Sequence, residues 1–521
     1  ADGARPARAF SSWRAHPLLH LMNAKKRNRF WQLHSLLGIT LGLPLFVIFL
    51  AGTLALFEPE AINWTQPQFD GSTPAENPLN PVLNELLAKH PGTDELSVVL
   101  ASDRHPVTDV YLEEDHHPTH YWIDPRDLTV SEATGHEADL FHFFVDLHYF
   151  EFLPYGIQIS GAIAALFFAI ILSGLVYQWR TMRQDLKLKN LSLKGASRWK
   201  KVHRFTSLFT LPFQIAYSVT GASLALGLFL AAPAVSVFFD GDQAALNETL
   251  FPEHMAMAEP VHEEPTYPVD EALALASAHW GPGVEPLIVH IAREEAHDDH
   301  PASHTILVQG KERGLHFVGT SSLTLDEDLN ILHDQTPTSH LGPMMIEALV
   351  NVHFATFNGF LIKVLFALLG LIVTLSIAAG VYILVQRRRQ GAERDSRMTK
   401  FLVTTTHWLL GGLPLACALS LHAAQLSPGL PVVLFWIVLV AALPLTLLLK
   451  DGLGKVTTAS AVAFSLLPLA FLIAQRESPL QVGNTHAVMV SFFNLFFLLM
   501  GIAIWQLVRQ IKENELTAKA R

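Results

Sequence analysis

The stretch HSLLGITLGLPLFVIFLAGTLAL, residues 34–56, decides how this chain is read. It is apolar for long enough to cross a hydrocarbon core roughly 30 Å thick, which takes about 20 residues, and it opens on a histidine. A second stretch, HRFTSLFTLPFQIAYSVTGASLAL at residues 203–226, repeats its landmarks. Pro44 and Gly52 follow His34 by ten and eighteen residues; Pro212 and Gly221 follow His203 by nine and eighteen. Two further apolar segments match each other. His148 precedes the run Gly174-Leu175-Val176-Tyr177 by 26 residues, and His353 precedes Gly380-Val381-Tyr382 by 27. The repeated unit is helix, outside loop, helix. Because the first and third helices run in the same direction, this is a parallel duplication, which predicts a pseudo-two-fold axis along the membrane normal. The axis makes His34 the counterpart of His203, and His148 the counterpart of His353.

Composition agrees with a membrane location. Of 521 residues, 50% are hydrophobic and only 16% charged, with a mean hydropathy of +0.30, which excludes a cytosolic enzyme. The expected class is an all-α polytopic membrane protein of about eight transmembrane helices, built on a duplicated two-plus-two helix core, with two small α+β insertions. In chain order we expect a basic segment at 1–30, a span at 31–57, an insertion at 58–147 and a span at 148–180. A link at 181–202, a span at 203–231, an insertion at 232–352 and a span at 353–386 follow. A link at 387–400, four further spans within 401–510 and a tail at 511–521 complete the chain.

Charge assigns the sides. Lysine and arginine crowd the first segment (Lys25, Lys26, Arg27, Arg29), both links and the tail, whereas the two insertions hold most of the 47 acidic residues and few of the 36 basic ones. The positive-inside rule therefore places both termini in the cytoplasm and both insertions outside. The first 30 residues lack the apolar core of a secretory signal. In the insertions, Leu96–Leu100, Val107–Leu112, Tyr121–Ile123, Leu287–Ala292, Thr305–Gln309 and Leu315–Val318 read as short strands, and Asp124-Pro125 begins a turn. There is no phosphate-binding loop and no dinucleotide fingerprint, and no nucleic-acid partner is expected.

The single cysteine, Cys417, excludes disulfide scaffolds, thiolate clusters and covalent haem attachment. With 26 histidines, the composition permits imidazole-ligated metal or haem. A polar imidazole in a membrane bundle is costly unless it faces the interior and finds a partner, so such a residue is a candidate for function. His34 and His203 fall at the cytoplasmic ends of their helices, His148 and His353 near the outer ends of theirs. Two pairs, one at each face, suit bis-histidine ligation of two b-type haems. A structural duplication, with the four histidines hydrogen-bonded at the boundary, is the alternative.

Other residues carry weaker expectations. Lys363 either snorkels to the interface or pairs with an outer haem propionate. His142, on another helical face from His148, is the rival ligand in the second span. His407, His422 and His486 in the added helices bind a third haem or a quinone headgroup, or are ordinary boundary histidines. His116, His117 and His120, and His297, His300 and His304 with Asp298 and Asp299, either collect cations or form a solvated acidic surface.

Four segments carry a resemblance: Trp31-Gln32-Leu33-His34-Ser35-Leu36-Leu37-Gly38, Asp146-Leu147-His148, Lys201-Val202-His203-Arg204-Phe205, and Val352-His353-Phe354-Ala355-Thr356-Phe357-Asn358-Gly359. They resemble the histidine motifs of the PepSY-associated transmembrane family, and Tyr121-Trp122-Ile123-Asp124-Pro125 is similar to the strand and turn of its PepSY modules. Members of that family include ferric-siderophore reductases of the bacterial inner membrane that carry two bis-histidine haems. The resemblance implies PepSY-like periplasmic insertions and iron bound as haem through His34, His203, His148 and His353. It also implies reduction of a ferric siderophore or other ferric chelate in the periplasm, with electrons from a cytoplasmic reductase or from quinol. Arg204 is by the same resemblance a candidate propionate partner. The rival class is non-enzymatic: a PepSY-domain membrane protein that binds a periplasmic partner as scaffold or signal relay.

Overall fold

The computed structural model describes residues 24–519 apart from 67–68, 70–76, 103, 115–116, 134–139, 188–196, 253–265, 295–302, 315, 338–339, 358, 393, 428 and 450. The cation-binding candidates His116, His297, Asp298, Asp299 and His300 lie outside the described residues.

Among the described residues, seven helices are long and apolar enough to cross a membrane. The first, α1 (Ala24–Ala55), leads through a turn into the short α2 (Glu58–Thr65), and α3 (Asn80–Leu87) opens the first insertion. The chain returns through α4 (Leu140–Tyr149) and α5 (Gly156–Gln178), then the single turn α6 (Met182–Asp185). The third expected span is not one helix. It is divided into α7 (Arg198–Phe209), α8 (Leu211–Ala225) and α9 (Gly227–Phe238). The first break follows from Pro212, which has no N–H to donate and whose ring crowds the preceding turn. At the joint Thr210 takes φ −94° and ψ 12°, and the Gln214 amide donates to the Ser207 carbonyl and the Thr210 hydroxyl. A broken helix at membrane depth survives because side chains satisfy the freed groups in this way.

The second insertion contributes α10 (Gln243–Leu250), α11 (Val269–Trp280) and α12 (Leu341–Phe354). The remaining helices are α13 (Phe360–Arg389), α14 (Arg397–Ala424), α15 (Pro431–Leu448), α16 (Gly452–Gln475) and α17 (Thr485–Lys519). The sequence expectation that spans begin at His148 and His353 is not met. Each is the penultimate residue of a short helix, α4 or α12, and residues in left-handed conformation (Phe150, Tyr155 and Ala355) turn the chain into the long helix that follows.

The insertions do not form two separate domains. The first supplies β1 (Thr93–Val99), β2 (Thr108–Glu114), β3 (His117–Ile123) and β4 (Val130–Glu132); the second supplies β5 (Val284–Glu294), β6 (Ser303–Glu312), β7 (Thr320–Leu325) and β8 (Ile331–Gln335). Together they make one eight-stranded sheet in the order β4-β3-β2-β1-β5-β6-β7-β8. The halves join where β1 and β5 run antiparallel, Leu96 opposite Ile291 and Val98 opposite Val289. The expected strand at Leu315–Val318 is absent at Phe317 and Val318, where the chain bends before β7; Leu315 is not among the described residues.

Side chains alternate across the sheet as a period of two requires. One face, with Leu96, Val98, Val110, Leu112, Val289, Ile291, Ile306 and Val308, packs on Leu83 and Leu86 of α3 and Val269, Ala272 and Ala276 of α11. The two helices also cap each other. Asp270 accepts from the Leu79 and Asn80 amides at 2.8 Å, while the Asn80 side chain accepts from the Asp270 amide at 3.1 Å.

The C-terminal helices α14–α17 bury a phenylalanine-rich core continuous with α1, α2 and α4. Trp64 of α2 is fully buried there against Phe471, Phe493 and Phe497. Cys417 is buried in the same core, a small packing residue as its sequence position suggests.

Candidate functional site

The duplication becomes visible in how four histidines are held. His34 lies against Gly174 of α5, where a β-carbon would stand 3.0 Å from its ring, and His203 lies against Gly380 of α13 at the same 3.0 Å. His148 lies against Gly52 of α1, and His353 against Gly221 of α8. Each of the four glycines that mark the repeat in the sequence therefore has a histidine over it. The rings lie so close to the neighbouring backbone because no side chain intervenes.

Hydrogen bonding repeats with the packing. Nδ1 of His34 meets the carbonyl of Ile170 at 3.0 Å, that of His203 the carbonyl of Ser376 at 2.8 Å, and that of His148 the carbonyl of Ile48 at 2.8 Å. Each carbonyl belongs to the residue four before the matching glycine. His353 departs from the pattern: its Nδ1 meets Thr220 Oγ1 at 3.0 Å, and the Tyr217 ring lies 5.2 Å away. The Thr220 hydroxyl donates to the Ala216 carbonyl, so its oxygen accepts from the imidazole. In all four residues the acceptor fixes the proton on Nδ1. Nε2 keeps its lone pair, and it has no hydrogen-bond partner among the described residues. This is the tautomer in which an imidazole ligates a metal.

The histidines come in two pairs of the same shape. His34 and His203 have ring centroids 6.1 Å apart with planes at 51°, and His148 and His353 have 6.0 Å and 49°. Metal–imidazole bonds run about 2.0–2.1 Å, so two of them on opposite sides of one ion, with half a ring at each end, span about 6 Å. His34 and Gly52 lie eighteen residues apart on α1, about 27 Å of helix, so the pairs stand near opposite faces of the bundle. Among the described residues no group of three or more His, Cys, Asp or Glu converges. Two imidazoles alone leave a metal short of ligands. They suit an iron whose equatorial positions are filled by a macrocycle.

The pair nearer the sheet borders a cavity of about 390 Å³, within the usual range for small-molecule sites. Its wall is mostly apolar, with Leu45, Phe49, Phe167 and Phe213, and His148, His353 and Lys363 enter it. The residues present would thus fit a flat, largely apolar group held by His148 and His353.

The other sequence candidates fall elsewhere. His142 is turned from the pair and bonds Glu58 at 2.7 Å, so His148 is the residue brought to His353. Lys363 does not snorkel: it is 4% exposed and donates to both oxygens of the buried Glu60 at 2.8 Å. Arg204 bonds Thr181 and pairs with Asp185 at 2.6 Å. His422 Nε2 donates to the Ala463 carbonyl and His486 meets Asn63, which makes both internal packing contacts; His407 Nε2 is buried with no partner among the described residues. His304 is buried against Glu327.

A second cavity of about 570 Å³ lies between sheet and helices, and it shares Glu58, Pro59 and Thr356 with the first. The sheet presents Asp109, Tyr111, His120 and Trp122 to it. Asp109 bonds both His105 and His120. Burial alone would raise its pKa, but these two imidazoles outweigh burial and hold the carboxyl at about 2. His105 is raised above its ordinary value, the opposing effect of burial being outweighed by Asp109 and the Pro59 carbonyl. Sequence reasoning missed Glu60, Arg104 and Asp109. The only signal for Glu60 was the buried lysine itself, which demands a carboxylate without saying which.

The family model described as the PepSY-associated TM region matches residues 31–387, which include all four histidines and all four glycines. No curated protein matches the chain.

Proposed function

The chain belongs to the family of the PepSY-associated TM region, and on that premise we propose that it is a transmembrane electron-transfer protein holding two b-type haems. The observation that carries the reading is the equality of the two histidine pairs, 6.1 and 6.0 Å between rings. Each ring presents an unprotonated Nε2. His34 and His203 would hold the inner haem, His148 and His353 the outer one. When bound, such groups supply one-electron transfer between the faces of the membrane.

The chain's own contribution is positioning and exclusion. The glycines allow α1, α5, α8 and α13 to receive the rings, the Nδ1 bonds fix ring orientation, and the apolar wall of the outer cavity keeps water from the site. The sheet faces the periplasm of a bacterial inner membrane in this reading, and the second cavity opens the outer site to an acceptor, a ferric siderophore or another ferric chelate. No side chain need act as acid, base or nucleophile on a metal that stays chelated. A cytoplasmic reductase or quinol would be the donor.

The test is full-length protein in vesicles with an impermeant reductant trapped inside and an impermeant ferric chelate outside. Ferrous iron should appear outside only with the protein present, and should be lost in His34→Ala and in His353→Ala. Rates equal to those of empty vesicles would refute the reading.

A further inference from the structure

A third cavity takes no part in the sites above. It measures about 390 Å³, lies between α1 and α13, and is lined by none of the four histidines or their glycines. Both helices are long and apolar enough to cross a membrane. They meet closely at Gly38 and Gly42, where a β-carbon would stand 3.5 Å from Leu384 and 2.4 Å from Val381. Beyond that contact Trp31, Ser35 and Ile39 of α1 face Leu384, Arg387 and Arg388 of α13 across the cavity. The four-residue spacing on each helix turns one stripe inward. Since α1 runs from this end toward the first insertion, the cavity lies at the end of the bundle away from the sheet.

Both stripes pass from apolar to polar toward the helix ends: Ile39 and Leu384 lie deeper, Trp31, Ser35, Arg387 and Arg388 farther out. The Arg387 guanidinium carbon lies 4.7 Å from the centre of the Trp31 ring. An aromatic contact of this kind holds a guanidinium in place while its N–H donors remain for other partners. Among the described residues no carboxylate lines the cavity. Of the acidic residues carried by the two links, Asp185 pairs with Arg204 at 2.6 Å and Asp395 with Arg394 at 3.1 Å; Glu393 is outside the described residues. No imidazole lines it either, so the described walls offer no group to take a proton from a quinol. Guanidinium groups keep their charge at any working pH, and they select a ligand that keeps its own.

We propose that this cavity binds an anionic membrane phospholipid, with Arg387 and Arg388 on its phosphate and Ile39 and Leu384 along its acyl chains. Arginine matches phosphate oxygens with paired N–H donors, and basic pockets between membrane helices hold anionic headgroups. Leu36, another wall residue, is 61% exposed, an open apolar surface on the lipid side. The inference does not depend on haem.

The experiment uses delipidated full-length protein in detergent and reads bound lipid by native mass spectrometry. Phosphatidylglycerol and phosphatidylcholine with the same chains are compared. One phosphatidylglycerol should stay bound at concentrations where phosphatidylcholine does not. Arg387→Gln should weaken its retention about fivefold, the usual worth of one basic residue at an anionic lipid surface, and Arg387→Gln with Arg388→Gln should weaken it further. Arg387→Lys should keep most of it. Arg389→Gln, on the same helix end but off the cavity wall, should change nothing. Melting temperatures without lipid equal to the wild type would show that the variants fold. Three results would overturn the inference: equal retention of the two lipids, an equal loss in Arg389→Gln, or displacement of the lipid by an equal concentration of glycerol phosphate. The second would reduce the effect to surface charge, and the third would make the ligand a soluble phosphate.

Discussion

Gly52 and His148 approach so closely that no side chain fits between them: a β-carbon on Gly52 would stand 2.5 Å from the imidazole Nδ1. At Gly221 the same construction gives 3.4 Å to His353, an ordinary contact. Gly52→Ala should therefore displace His148 and cost the protein one of its two haems, while Gly221→Ala keeps both. Pigment-to-protein ratios of the two purified variants check this order. Gly174→Val and Gly380→Val should each empty the inner site alone.

Glu60 and Lys363 are a buried ion pair, 2% and 5% exposed at the side chain. Removing one partner strands the other charge, which costs about 3–5 kcal/mol. Glu60→Gln should lower the unfolding temperature in detergent markedly. The double variant Glu60→Gln with Lys363→Met should be more stable than Glu60→Gln alone, since it leaves no buried lysine without a counter-ion.

The His105–Asp109 contact gives stability a defined pH window. Asp109 is lowered from 3.8 to about 2, so its contribution is present above the ordinary carboxyl value and fades as pH falls toward 2. His105 is raised from 6.5, so its contribution is full below 6.5 and fades as pH rises through the raised value. Melting temperatures should be highest between about pH 4 and 6.5 on this account, and Asp109→Asn should flatten the fall on both sides.

Asp270 caps α3 from another insertion, 190 residues away in sequence. Asp270→Ala should cost about 1 kcal/mol, the usual worth of an N-cap. Hydrogen exchange should speed up at the start of α3, where the Leu79 and Asn80 amides lose their acceptor.

The four ligand candidates were legible in the sequence because a duplication repeats their spacing, and the same repeat marked the glycines. Why those glycines recur was not legible: only the fold shows that each lies beneath a histidine of another helix. The sheet was half legible. Alternation in segments such as Leu96–Leu100 identified strands, but pairing of β1 with β5 joins residues almost 200 positions apart, and no local pattern encodes it. The third span misled for a physical reason. Its hydropathy is continuous, while Pro212 removes a main-chain donor that hydropathy does not count. From the sequence Lys363 reads either as snorkelling to the interface or as a propionate partner, because Glu60, 303 positions away, is invisible from its neighbourhood.

The central claim is that two histidine pairs of equal geometry hold two b-type haems. It is tested most directly by a dithionite-reduced minus oxidised spectrum of the purified protein, with haem counted by the pyridine haemochrome assay. The account predicts two b-type haems per chain, falling to one when His34 or His353 is replaced by alanine. A colourless protein, after expression with ample haem, would contradict it.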